Sequence, residues 1–151
     1  MGGVPRARAV GSRAKRPDRG GLAANVKIDL ELAAAQIVDR GAEWQARGLQ
    51  VGPITWRDQA RAWPHQVVAG RAQAADPDSV GVKVTCGGEE GALVLYAGGW
   101  ADVLYWGGDR SSEVVDEMVG DYDSPLTQED FARVLSAFGA RFRGVGGCLP
   151  T

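Results

Sequence analysis

The residues able to do chemistry are few and widely separated. His65 is the one histidine in 151 residues, and it lies between Pro64 and Gln66 with no G-x-S-x-G or similar nucleophile pattern in the chain. One histidine and two distant cysteines, Cys86 and Cys148, do not make a zinc set. The carboxylates of "DYDSPLTQED" lack the D-x-D-x-D-G register and the closing glutamate of a calcium loop. The Gly-Gly pairs lack the G-x-G-x-x-G or G-K-[ST] surroundings that aim backbone N–H groups at a phosphate, and they read as turns. Asp116 with Glu117, and Asp121 with Asp123, have the groups for proton transfer, yet without a pocket they read as a solvated face. The sequence therefore predicts no catalytic, cofactor-binding or metal-ligating residue, and a protein that is not an enzyme.

What is left suits recognition better than reaction. Residues 95–108, "LYAGGWADVLYWGG", place two tryptophans and two tyrosines beside Asp102. Trp44 and Trp56 read as core. The preferred reading packs the face of Trp100 and Trp106 beneath a phenylalanine-rich C-terminal helix, because a small sheet needs a covering layer. The rival reading leaves part of that face open as an interface, since aromatics beside charge are what binding hot spots look like. Residues 102–130 carry nine carboxylates against Arg110 alone. Such a one-signed field steers a basic protein and repels nucleic acid. The candidate partner-binding residues are Asp102, Trp106, Asp109, Glu113, Asp116, Glu117 and Asp121.

These residues need a scaffold, and its length allows one core. Residues 1–21 hold six basic groups against Asp18 and, beyond Met1, no large apolar side chain except valine, so they are predicted to be a disordered basic leader. Residues 22–144 form a single α+β domain, and 145–151 a flexible tail. No apolar run of about 18 residues is present to cross a bilayer, and the leader lacks the apolar stretch of a secretory signal. With too few cysteines for a disulfide framework, two thiols in a reducing cytoplasm are expected.

Within the domain, Val26, Ile28, Leu30 and Leu32 alternate like a strand, yet Leu30, Ala33, Ala34, Ile37, Val38 and Gly41 keep helical spacing into Trp44, and the alanine run favours a helix that ends near Gly48. Residues 54–63, with Trp56 and Trp63, read as a linker or short helical turn, and "HQVVAG" as a short strand. "VGVKVTC", "ALVLYA" and "WADVLYW" then follow one another through a five-residue loop and the Gly98-Gly99 turn, an antiparallel meander. If Ala97 pairs with Trp100, one face holds Val82, Val84, Val94, Tyr96, Val103 and Tyr105. The other then holds Leu93, Leu95, Trp100, Asp102, Leu104 and Trp106. Residues 111–119 read as a helix capped by Ser112. The closing helix is marked by a capping box, Thr127 with Asp130, and by the stripe Phe131, Val134, Leu135, Phe138, Phe142. The fold class is α+β: a small antiparallel meander of three or more strands covered by N-terminal and C-terminal helices.

This order of elements resembles small immunity proteins of bacterial polymorphic-toxin and contact-dependent inhibition systems, specifically the TriTu immunity family, over residues 37–142. The matching features are the strand, small-residue turn and strand unit with Asp102 just after the turn, where the family has Glu, and the S-x-x-T-x-x-D-F helix start at Ser124. Trp44, Trp56 and Trp100 are the candidates for the tryptophans that mark the family. The resemblance implies a cytoplasmic protein that neutralises a cognate toxin domain. A basic toxin such as a nuclease would match the acidic surface. A second function class stays open, a chaperone or adaptor that carries an effector without inhibiting it. Neither class requires a cofactor, nucleic acid or a membrane, and neither fixes the oligomeric state.

Overall fold

Three successive apolar runs build the sheet that carries every other element, and burial alternates strictly along the second and third. The computed structural model describes residues 26–60, 63–108 and 114–142. The chain order is α1 (Leu30–Ala46), β1 (Gln50–Val51), β2 (Thr55–Asp58), β3 (Gln66–Val68), a 3-10 turn (Arg71–Gln73), β4 (Pro77–Cys86), β5 (Glu89–Tyr96), β6 (Ala101–Trp106), β7 (Val114–Val119) and α2 (Gln128–Ala140). All strand pairs are antiparallel in a seven-stranded sheet of order β3-β2-β4-β5-β6-β7, with β1 also on β4. The expected α+β class and meander are present. The predicted leader and tail lie outside the described residues.

Two turns fix the register. Cys86 pairs with Glu89 across Gly87-Gly88 alone, so the first loop has two residues and not five. The second loop has three, Ala97 to Gly99: the Tyr96 N–H donates to the Trp100 carbonyl and the Gly99 N–H to the Tyr96 carbonyl. Gly99 sits at φ +100, the left-handed position such a loop requires. This corrects the expected two-residue turn by one position, and a one-residue slip exchanges the faces of a strand. Leu93 and Leu95 therefore join Val103 and Ala101 on the core side, while Val94 pairs with Asp102 on the other. The predicted faces of β4 and β6 are as expected.

Residues 114–119 are a strand, not the predicted helix. They pair with β6 throughout, Trp106 with Val114 and Ala101 with Val119. "VVDEMV" is as good an alternating pattern as a helical one, and the pairing offered by β6 decides it. The residues around Trp56 likewise form β2, a strand rather than a linker, whose partner on its outer side is the expected short strand β3.

Both helices lie on one side of the sheet. Leu30, Ala33, Ile37, Gly41 and Trp44 face inward from α1, and Phe131, Leu135, Phe138 and Gly139 from α2. Trp44 packs edge-on to Phe138 with ring centroids 5.7 Å apart, Phe138 to Phe142 at 5.5 Å, and Phe142 to Tyr105 at 5.3 Å. The Tyr105 hydroxyl donates to the buried Glu89 carboxylate at 2.6 Å. The helices run parallel and are tied at both ends. Gln128 Nε2 donates to Gln36 Oε1 at 2.7 Å, and the Arg47 guanidinium donates to the carbonyls of Gly139 and Phe142. A buried carboxylate, Asp58, holds the far side together by accepting from the N–H groups of Ala60, Ala75 and Asp76.

Cys86 is disulfide-bonded, which corrects the expectation of two free thiols. The other cysteine of the sequence, Cys148, lies outside the described residues. Disulfides persist in oxidising compartments, so a cytoplasmic location loses the support that free thiols would give it. No helix among the described residues is long and apolar enough to cross a membrane.

Two stability predictions follow from the helix layer. A Cβ at position 91 would stand 2.7 Å from the Phe142 ring and 2.8 Å from Phe138. Gly91→Ala should therefore cost about 1–3 kcal/mol in urea unfolding, and an unchanged midpoint would show that the aromatics do not rest there. The expected capping box is present, with Thr127 Oγ1 accepting from the Asp130 N–H and Asp130 accepting from the Thr127 N–H. The Thr127 N–H, then Arg133 and the Thr127 hydroxyl, hold the Asp130 carboxyl below its ordinary pKa. Its contribution is complete above the unfolded carboxylate pKa and is lost as pH falls through the lower folded value. Asp130→Asn should lower the melting temperature at neutral pH, with the difference vanishing in strong acid.

Candidate functional site

With α1 and α2 on one side, no described element covers the other side of the sheet. Directly paired antiparallel residues share a face. The register thus gathers Lys83 and Thr85 from β4, Glu90, Ala92, Val94 and Tyr96 from β5, Asp102, Leu104 and Trp106 from β6, and Val114, Asp116 and Met118 from β7. Four large apolar side chains are exposed here: Leu104 at 46 %, Trp106 at 44 %, Val114 at 69 % and Met118 at 61 %. Isolated exposed apolar residues are ordinary, but four on adjoining strands form a patch. Leu104, Trp106 and Val114 also border a cleft of about 320 Å³ whose polar rim is Lys83, Glu90 and Asp116.

The preferred reading of the two tryptophans is thereby overturned. Trp106 stands on the solvent side, and Trp100 is half-buried and stacks on Tyr96 with centroids 5.6 Å apart. Neither lies under the phenylalanine helix, whose seat is Gly91 and Tyr105. Trp44 and Trp56 are buried, as expected.

At the β2 end, the open face carries a connected polar network. Arg57 grips Asp78 through two hydrogen bonds of 2.8 and 2.6 Å, and its guanidinium lies 5.4 Å from the centre of the Tyr96 ring. The bond to Asp78 holds the Arg57 pKa above its ordinary value, against the opposing effect of burial. The Tyr96 hydroxyl feels the nearby Asp102 carboxylate: its pKa is raised, first by burial and then by the negative charge of Asp102.

Of the sequence-predicted partner residues, the structure brings Asp102, Trp106 and Asp116 onto one face. Glu117 is on the opposite face of the same strand, 3.6 Å from Arg141. Asp121 lies past the strand end, where its Oδ1 accepts from the N–H groups of Asp123 and Ser124 and holds a turn. Asp109 and Glu113 lie outside the described residues. The acids therefore surround the β7 edge on both faces and do not line one helix. Arg57, Tyr96, Leu104 and Met118 belong to the site and were not singled out from sequence. Of these, only Tyr96 and Leu104 fall in the alternation of "YAGGWADVLYW", whose register was one residue out.

No group of three or more His, Cys, Asp or Glu placed to hold a metal ion occurs among the described residues. The chemistry on view is burial of apolar surface, aromatic contact and charge pairing. Comparison of the chain with protein-family models, with curated proteins and with solved structures finds no match.

The Tyr96–Asp102 contact has a direct readout. Asp102→Asn removes the charge and should bring the Tyr96 pKa down toward, but not to, its ordinary value, because burial remains. Spectrophotometric titration of the tyrosines checks this, and an unchanged titration would remove Asp102 from the network.

Proposed function

We propose that the protein is a non-enzymatic binding protein that neutralises a basic toxin domain, an immunity protein, by covering it with the open face of its sheet. One observation carries the reading: Leu104, Trp106, Val114 and Met118 are exposed together beside Asp102 and Asp116 on a face that no described element covers. Apolar and aromatic side chains supply the buried centre of an interface, and the surrounding acids supply charge-steered association and selectivity. The resemblance to the TriTu immunity family supports the same partner class. Nucleic acid and membrane surfaces fit this acidic face poorly. An immunity protein acts where its toxin acts, so the reading carries a cytoplasmic site of action; the Cys86 disulfide is the observation that pulls the other way.

Co-expression with the toxin domain encoded beside it is the test. The wild-type chain should restore growth. Trp106→Ala combined with Met118→Asp should weaken binding by about 30-fold or more, the loss of a hot spot worth about 2 kcal/mol. Val38→Asp, on the exposed side of α1, should change neither binding nor growth. Full rescue by the folded double variant overturns the reading, and so does capture of the partner without rescue, which is the behaviour of an adaptor.

A further inference from the structure

Strand β7 pairs with β6 along its whole length, and among the described residues no strand pairs with its other side. Six residues give an edge of about 20 Å, with a row of backbone donors and acceptors turned outward. A groove of about 320 Å³ runs between this edge and α2, floored by Val103, Val119, Leu126, Val134 and Phe138, with the Glu117–Arg141 and Asp130–Arg133 ion pairs on its walls. Helix α2 is seated over Gly91 and Tyr105, toward the sheet centre, which leaves Val115 and Val119 half-buried and Glu117 exposed. An edge strand beside a groove is the arrangement in which an added strand gains main-chain hydrogen bonds and places alternate side chains in a pocket.

The charges select the occupant. Asp116 projects on the open face and Glu117 on the groove side, at the centre of the strand. A two-fold antiparallel pairing with a second copy must keep each face continuous. Its two centred registers then set Asp116 opposite Asp116 or Glu117 opposite Glu117, and like charges directly opposite each other destabilise a pair. A second copy is thus disfavoured, and a basic strand is favoured.

We propose that β7 is a strand-addition site for an extended segment of a basic protein partner, in which two consecutive Lys or Arg residues are flanked by apolar ones. The register sets that pattern: positions opposite Met118, Glu117, Asp116 and Val115 take apolar, basic, basic and apolar side chains. The two basic residues divide between the faces, one to Asp116 and one to Glu117, and the apolar residue opposite Val115 turns to the groove side. The proposal rests on the reading of the protein as a binder of basic proteins and names how the partner docks.

The probe is a synthetic ten-residue peptide with the core Thr-Val-Arg-Arg-Val-Thr, made also in two forms N-methylated at alternate residues. Only one of those forms blocks the amides that would face β7. The unmodified peptide should bind the full chain and slow amide exchange at alternate β7 residues. One methylated form should bind at least about tenfold more weakly, and the other within about twofold of the parent. The folded variant Asp116→Lys with Glu117→Lys should lose the peptide and bind its Glu-Glu counterpart instead. No binding by the unmodified peptide, or an equal effect of the two methylation patterns, overturns strand addition. If that happens while the wild-type chain still rescues growth, strand addition alone is removed; if wild-type rescue itself is absent, the function reading is removed.

Discussion

The aromatic seam of Trp44, Phe138, Phe142 and Tyr105 decides on which side of the sheet everything else must sit. Each edge-to-face pair contributes about 0.5–1.5 kcal/mol beyond the area it buries. The seam has room only because residue 91 lacks a Cβ where the Phe138 and Phe142 rings arrive. It draws both helices to the same face, where the Gln36–Gln128 and Arg47 hydrogen bonds lock them parallel. Two helices of 17 and 13 residues make one layer, and the layer is used up on that face. The opposite face has no described cover, so its side chains answer to water or to a partner.

That constraint connects the core to the proposed binding face. On the open face the residues sort by position across the sheet. Across β2, β4 and β5 they are tied together by Arg57, Asp78 and Tyr96. Toward β7 they are apolar and exposed, with acids on both sides of the edge strand. A fixed polar end and an adaptable apolar end suit a surface that orients a partner and then buries it. Half-buried Arg141, 3.6 Å from Glu117, offsets part of the negative charge on the groove side and leaves Asp116 as the acid of the open side.

The helices were legible in the sequence because their signals are local: the Thr127–Asp130 capping box and the spacing from Leu30 to Trp44 need no distant partner. The faces of β4 and β6 were legible for the same reason. The face of β5 depended on whether the turn before Trp100 holds two residues or three, and a glycine pair with a small neighbour permits either. Residues 114–119 suit a helix and a strand alike, and only β6 settles the matter. Trp106 was assigned to the correct side of its own strand, yet which side the helices would cover is a long-range fact. The Arg57–Asp78 and Tyr96–Asp102 contacts join different strands, and no spacing along the chain announces them.

The central claim is that the open face is bare in the free protein and covered in the complex. Hydroxyl-radical footprinting of the chain, alone and bound to the proposed toxin partner, measures this residue by residue. Trp106 and Met118 should be oxidised readily in the free protein and protected in the complex, while Trp44 and Trp56 stay unmodified in both. Trp106 and Met118 silent in the free chain, or equally reactive in free and bound forms, would contradict the account.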